Sequence, residues 1–244
     1  MGYNSIFPHE SIGGTTIDFH SNLPDVTDFD IPFFFSTSTT CSDNDGNLLF
    51  YSNGCHIANR ENEIMMNGDS INFGSHYGED CYSGYPSVQG VLSLALPEND
   101  SLYYLFHLRK EDNDFFHYKD ILYSVINMNA DNGNGAVTLK NELVMSDDFT
   151  AELTAVRHGN GRDWWIILPQ NLSNKIFLFL LDPTGIHFSH EQNVGNAREF
   201  PSEIGQAVFS PDGEKYIRAN NKNGIYIYSF DRCTGFFDFP IHFF

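Results

Sequence analysis

The chain has 244 residues, of which 41% are hydrophobic and 15% aromatic, with 23 Phe and 12 Tyr. That is enough apolar content to bury a core, and its aromatic bias suits pleated, half-buried strands, which argues against disorder and against a helical protein. Thirteen Lys and Arg against 32 Asp and Glu give a formal net charge of -19, which repels phosphate backbones and anionic head groups and argues against nucleic acid as a partner. The longest apolar runs, 164–168 and 176–181, have strand length and fall well short of the ~20 residues of a membrane span, so no membrane insertion is expected.

Residues 1–35 form an N-terminal segment. Its opening residues, Met1-Gly2-Tyr3-Asn4, have neither a basic n-region nor an apolar h-region, so the expectation is either a cytoplasmic chain or a targeting segment that lies outside this sequence. Within it, residues 13–19 (Gly-Gly-Thr-Thr-Ile-Asp-Phe) read as a single strand able to close a ring against a last blade.

From residue 36 onward one pattern occurs four times: an apolar strand, a tight turn rich in Asp, Asn and Gly, an aromatic strand, a polar turn and a third strand. The first copy runs 37–42, turn 43–46, 47–52, Asn53-Gly54 and 55–59. The second runs 91–96, turn 97–101, 102–108, a polar insertion 109–120 and 121–127, with a Gly-rich turn ending at Gly135. The third runs 153–158, turn 159–162, 163–168, turn 171–174 and 175–181. The fourth runs 206–210, Pro211-Asp212-Gly213, 214–219, turn 221–224 and 225–230. The Gly and Asn residues supply the positive φ that short hairpins demand. The third strands of the last two copies end alike, in Asp182-Pro183-Thr184-Gly185 and Asp231-Arg232-Cys233-Thr234-Gly235.

First turns near residues 46, 100, 160 and 213 give a period of about 50 to 60 residues, the size of a four-stranded blade with generous loops. The expected fold is therefore all-β: a β-propeller with four blades present, at about 36–87, 88–150, 151–200 and 201–244, in one domain. Larger rings need more blades to cover strand edges, and residues 239–244 form an apolar terminus. The four blades are therefore expected to belong to a six- to eight-bladed ring, with the chain truncated at its C-terminus.

Four cysteines, Cys41, Cys55, Cys81 and Cys233, show no CxxC spacing, which disfavours zinc and leaves three pairings open. Cys41 and Cys55 flank a hairpin and can meet across neighbouring strands, but buried free thiols are the expectation. Asp43-Asn44-Asp45-Gly46-Asn47 begins like a calcium loop. The position of its bidentate Glu is occupied by Gly54, so an EF-hand is excluded, a hairpin turn is expected, and only a weak calcium possibility is left at Asp43 and Asp45. Otherwise no cofactor is expected. Asp131 to Gly135 is an oxygen-rich turn of the same kind, and His187 and His190, three apart on a strand, point to opposite faces and suit no shared metal.

No GxSxG elbow, HExxH pair or phosphate loop occurs. Candidate ligand-binding residues are therefore the aromatics of the loops 67–85 and 109–120, namely Tyr77, Tyr82, Tyr85, Phe115, Phe116 and His117. His158, beside the 159–162 turn, is a further candidate, with a strand-to-turn hydrogen bond as its simpler role.

The ordered set of motifs resembles a family of secreted bacterial β-propeller proteins with WD-like repeats, a signal peptide and a C-terminal type IX secretion sorting domain. It comprises residues 13–19, Asp45-Gly46-Asn47-Leu48-Leu49-Phe50-Tyr51-Ser52-Asn53-Gly54, residues 100–106, 153–158, Gly159-Asn160-Gly161-Arg162-Asp163-Trp164-Trp165, and Gly205-Gln206-Ala207-Val208-Phe209-Ser210-Pro211-Asp212-Gly213. The resemblance implies a secreted or cell-surface location and supplies no catalytic residues. The expected function is a non-catalytic extracellular module that presents loops to a protein or glycan. The alternatives are a polysaccharide hydrolase or lyase with carboxylates at the propeller axis, and a cytoplasmic WD-like scaffold.

Overall fold

A computed structural model describes residues 12–20, 23–31, 37–74, 77–81, 84–110, 117–201 and 205–244. Among them the protein is all-β, with 18 strands in antiparallel sheets, one helical turn, α1 (Tyr77–Asp80), and a 3-10 turn at Asp131–Gly133. Strands β1 (Ile12–Asp18) and β2 (Asp25–Ile31) form a hairpin. The first sheet holds β3 (Thr39–Ser42), β4 (Leu48–Ser52) and β5 (Ile57–Asn59). The second holds β6 (Val91–Ala95), β7 (Leu102–Arg109), β8 (Tyr118–Asn127) and β9 (Ala136–Phe149). In the third are β10 (Thr154–Arg157), β11 (Trp164–Pro169), β12 (Lys175–Asp182) and β13 (Gly185–Asn193). The fourth has β14 (Gly205–Phe209), β15 (Lys215–Asn220) and β16 (Gly224–Asp231), followed by β17 (Phe236–Phe237) and β18 (Ile241–Phe243). β17 and β18 both pair with β16, at Phe230–Asp231 and at Ile225–Ile227 respectively, so they are two pieces of one outer strand.

Each sheet is a meander because its connections are short turns whose side chains cap their own backbone. In the β3–β4 turn the Asp43 carboxylate accepts from the N–H groups of Asp45 (2.9 Å) and Asn47 (2.8 Å), and Gly46 takes φ +87°. The β14–β15 turn repeats the device: Asp212 accepts from Ser210 Oγ and the Glu214 N–H, and Gly213 takes φ +74°. Such turns fix the register of the strands they join.

Strand periodicity gives each central sheet two buried faces. In the third sheet Ile166, Leu168, Phe177 and Phe179 pack with Phe106, Leu108 and Ile121 of the second. The intervening residues Trp165, Ile167, Ile176 and Leu178 pack with Tyr216, Tyr228 and Phe230 of the fourth. A third core joins Phe50 and Ile57 of the first sheet to Tyr103, Leu105 and Ile126 of the second. These three cores lie between consecutive sheets, as face-to-face sheet packing requires, while a small fourth, Tyr51 and Ala58 with Leu48, lies within the first sheet.

The first strands of the sheets are also neighbours. β3 contacts β6 and β10 contacts β14, Gln89 bridges to Glu152, and the Thr37 hydroxyl accepts from the Gly90 N–H at 3.4 Å. The Gln89 side chain reaches further: its Nε2 donates to the Ala207 carbonyl and its Oε1 accepts from the Ala207 N–H, both at 2.8 Å. One amide thereby joins the second sheet to the fourth.

Two expectations change at this level. The strand foreseen at 13–19 is β1, and its partner is β2, not the last sheet. His20 ties that hairpin to the β3–β4 turn through Asp18 Oδ1 at Nδ1 (2.5 Å) and the Asp45 carbonyl at Nε2 (2.6 Å). The cysteine pairing is Cys55–Cys81, with Cys41 and Cys233 free. The Cys41 thiol is pushed up to about 11 by burial, whereas Cys233 is exposed. Cys55 lies after β4 and Cys81 just after α1, so the bond staples the 60–81 excursion to the first sheet.

Candidate functional site

A cleft opens where turns of the third and fourth sheets meet. The 159–162 turn is built by short-range bonds: His158 N–H donates to the Asp163 carbonyl (2.9 Å), and Asn160 N–H donates to His158 Nδ1 (3.0 Å). Asp163 accepts from Asn160 Nδ2 (2.7 Å) and Arg162 Nε (2.7 Å), and the bond from Arg162 holds its carboxyl below the usual range. Arg162 also reaches Glu98 (3.1 Å) in the β6–β7 turn of the second sheet.

Facing it is the 231–235 turn. Asp231 accepts from the Cys233 N–H and the Thr234 hydroxyl, both at 2.8 Å, and these bonds keep its pKa lowered. The two turns are joined through the Arg232 carbonyl, which accepts from Gly159 N–H (2.9 Å) and Trp165 Nε1 (2.8 Å). The approach is close: a Cβ at residue 159 would stand 2.4 Å from Cys233 Sγ, so the thiol would have to turn away. Behind the turns the rings of His158, Trp165, His190 and Phe236 form a continuous series, with centroid spacings of 5.3, 6.1 and 4.5 Å.

The cleft has a volume of ≈310 Å³, and its polar lining comes from Glu214, Lys215, Ser229, Asp231 and Arg232, with Phe230 and Cys233 beside them. Lys215 donates to Ser229 Oγ at 2.9 Å. Two cations and two carboxylates around one opening can meet both donors and acceptors of a polar ligand, and hydrogen bonds hold the Lys215 and Asp231 side chains in place without one.

A second polar cluster lies at the convergence of the first strands and is closed to solvent. Glu152 is 1% exposed and Arg218 2%. Arg218 Nε donates to Glu152 Oε2 at 2.7 Å and its Nη2 bonds the same oxygen, while Arg198 Nη1 donates to Oε1 at 3.3 Å. Burial works against the charge of Arg218, but Glu152 together with Tyr216 and Tyr228 outweighs it and the pKa is raised. Tyr216, buried in the same core, has its hydroxyl pKa raised by burial.

Of the residues foreseen as binding candidates, Tyr77 and Tyr85 share one core. Tyr82, Phe115 and Phe116 lie outside the described residues. Tyr85, expected on an exposed loop, is 2% exposed, and its hydroxyl accepts from the Lys110 N–H at 2.7 Å, so its ring belongs to the core. Tyr77 sits on α1 and its hydroxyl accepts from the Ser70 N–H (3.1 Å). His117 faces Asp148 at 3.0 Å. Of the described candidates, His158 adjoins the cleft, next to its lining residue Gly159, and its Nδ1 ties strand to turn. Asp43, one of the two residues suggested for calcium, spends its carboxylate on the turn described above, and among the described residues no three His, Cys, Asp or Glu side chains gather as metal ligands. The lining residues Glu214, Lys215 and Arg232 were missed. The one sequence signal toward them was the shared Asp-to-Gly turn after the third strand of the last two copies.

Comparison with known proteins adds little. No protein-family profile matches the chain, and no curated protein matches it. Among solved structures, a DUF4623 family protein from Bacteroides eggerthii is similar with a TM-score of 0.36 and 10% sequence identity, over 99% of this chain and 58% of that one. The chain therefore spans 58% of the length of that protein, and at this TM-score the likeness assigns neither fold nor activity. No helix among the described residues is long and apolar enough to cross a membrane.

Proposed function

We propose that the four sheets are successive blades of a β-propeller and that the protein is a secreted or cell-surface, non-catalytic module that binds a protein or glycan in the cleft between the third and fourth sheets. The observation that carries the binding reading is the cleft itself, whose mixed-charge rim is preset by backbone bonds through the Arg232 carbonyl. The blade reading draws on the cores between consecutive sheets and on the adjacency of the first strands, the arrangement of radially stacked meanders. A side chain that spans from the second sheet to the fourth favours a ring at the small end of the range over six to eight blades. The Cys55–Cys81 bond favours an oxidising compartment.

For a hydrolase at the axis, Glu152, a described carboxylate beside the first strands, is buried and bound to two guanidinium groups. That weighs toward binding. The experiment is a binding screen of the full chain on immobilised β-glucan, pectate, alginate and mucin, with Lys215→Glu and Arg232→Glu as variants. Retention on one of these probes that falls at least about tenfold in either variant supports the cleft. Retention unaffected by both variants, or release of reducing sugar from a probe, overturns the reading.

A further inference from the structure

The charged side chains of the cleft differ in what they already hold. Asp231 has both carboxylate oxygens engaged, Oδ1 by the Cys233 N–H and Oδ2 by the Thr234 hydroxyl. Lys215 spends one of its donors on Ser229 Oγ and keeps the others. Among the described residues the side chains of Arg232 and Glu214 make no hydrogen bond or ion pair, whereas every other arginine makes at least one. Arg232 is uncommitted although Asp and Glu outnumber Lys and Arg by 32 to 13. Asp212, whose carboxyl feels the Arg232 charge, accepts instead from Ser210 Oγ and the Glu214 N–H. The Arg232 stem is nonetheless placed by packing: it lies across the turn at Gly213, where a Cβ would stand 2.6 Å from Arg232 Cδ.

We infer that the ligand of this cleft is a glycan unit that carries a carboxylate, a uronate, held at that group by Arg232 and Lys215 and at its hydroxyls by Glu214. The inference rests on the binding reading above and narrows its ligand. With Asp231 engaged in its own turn, the side chains left to a ligand carry two positive charges and one negative, and one negative charge on the ligand balances them. The guanidinium fork matches a carboxylate in shape as well as in charge. A sugar suits the rest of the lining, where Glu214 accepts from hydroxyls and Ser229, whose oxygen takes the Lys215 bond, still has its own proton to donate. The volume of ≈310 Å³ is that of a small-ligand site. A protein partner would depend on an aromatic or aliphatic anchor, and Phe230, the aromatic of this lining, is only 4% exposed. The net charge of -19 repels a polymer charged at every unit, which selects a uronate set among neutral sugars over a homopolyuronate.

The test is a titration of the full chain, isotopically labelled and followed by its amide NMR spectrum. The probes are methyl glucuronoside and methyl galacturonoside, their neutral parents methyl glucoside and methyl galactoside, and N-acetyl-diglycine as a carboxylate of peptide origin. The expected result is that a uronoside shifts the amides of residues 213–215 and 229–233 and binds at least about tenfold more tightly than its neutral parent, the scale of a charge-assisted hydrogen bond. Arg232→Gln should abolish that preference. Glu214→Gln should weaken the uronoside and its parent by a similar factor and leave the preference intact, and the spectrum of each variant reports its folding. Equal binding of the neutral parent, or a preference that survives Arg232→Gln, overturns the uronate assignment while leaving the cleft reading in place. Tighter binding of N-acetyl-diglycine than of either uronoside overturns it in favour of a protein C-terminus. A cleft whose amides no probe shifts overturns it as well, and the retention screen then decides the binding reading separately.

Discussion

Glu152→Gln is the substitution that bears hardest on the centre of the molecule. It keeps the side-chain volume and removes the charge that holds Arg218 Nε at 2.7 Å and Arg198 Nη1 at 3.3 Å. Both arginines are at least 95% buried, with residue exposures of 2% and 5%, so neither guanidinium can recover its loss by hydration in place. Removing one partner of such a buried cluster costs about 3 to 5 kcal/mol, a large share of the ~5 to 15 kcal/mol total of a globular domain. For a chain of this length each kcal/mol lowers the melting temperature by roughly 2 to 4 °C, so a fall of roughly 6 to 20 °C is expected. Urea unfolding followed by the fluorescence of Trp164 and Trp165 measures it directly. Because buried pairs are poorly screened, the cost should persist in high salt. A loss below about 1 kcal/mol, in the range of exposed pairs, would refute the reasoning, since it would mean that solvent reaches the cluster.

The remaining predictions concern the staple and two histidines. Reduction of Cys55–Cys81, which closes a loop of sequence separation 26, should destabilise the chain by about 3.5 kcal/mol, seen as a lower melting temperature with a phosphine reductant and reproduced by Cys81→Ser. His107 is fully buried between Asn72 Oδ1 (2.6 Å) and the Ser124 hydroxyl (3.1 Å), and burial, helped by the Arg109 charge, depresses its pKa to about 3. Its stabilisation is intact above the unfolded value of ~6.5 and declines by about 1.4 kcal/mol per pH unit as pH falls from there toward 3. Comparing the acid limb of a pH–stability curve with that of His107→Gln should show a shallower slope in the variant. His20 behaves in the opposite sense: both its ring nitrogens face acceptors, so the imidazolium is favoured, and the Asp18 bond raises its pKa. The tether should therefore hold below the unfolded pKa and loosen as pH rises through the higher folded one. Amide exchange across 12–31 should accelerate over that range in the wild type and be fast throughout in His20→Ala.

The strands were legible where their signal is local. β4, β7 and β16 fall within one or two residues of the segments expected at 47–52, 102–108 and 225–230, because Asp-Gly and Asn-Gly turns and alternating aromatics act over a few residues. β9 was not foreseen. Its 14 residues pair with β8 through several register shifts, and bulges erase the two-residue alternation that marks a strand. The Cys55–Cys81 pairing depends on how the 60–81 excursion folds back, which spacing alone does not encode. Tyr85 looked like a loop aromatic, yet its hydroxyl satisfies the Lys110 N–H inside the core. The cleft was hidden for a similar reason: Lys215 and Asp231 stand at ordinary strand ends and Arg232 in an ordinary turn, and only the packing of the third sheet on the fourth brings them to Gly159.

The central claim is that the sheets stack in series with their first strands converging. The most direct measurement is a nuclear Overhauser experiment on the full chain, isotopically labelled, read at the Gln89 side-chain amide. The account predicts cross-peaks from that amide to the backbone of Ala207, 118 residues away and 2.8 Å from it in both bonds. Intact cross-strand peaks within the second and fourth sheets, with none from Gln89 to Ala207, would contradict it.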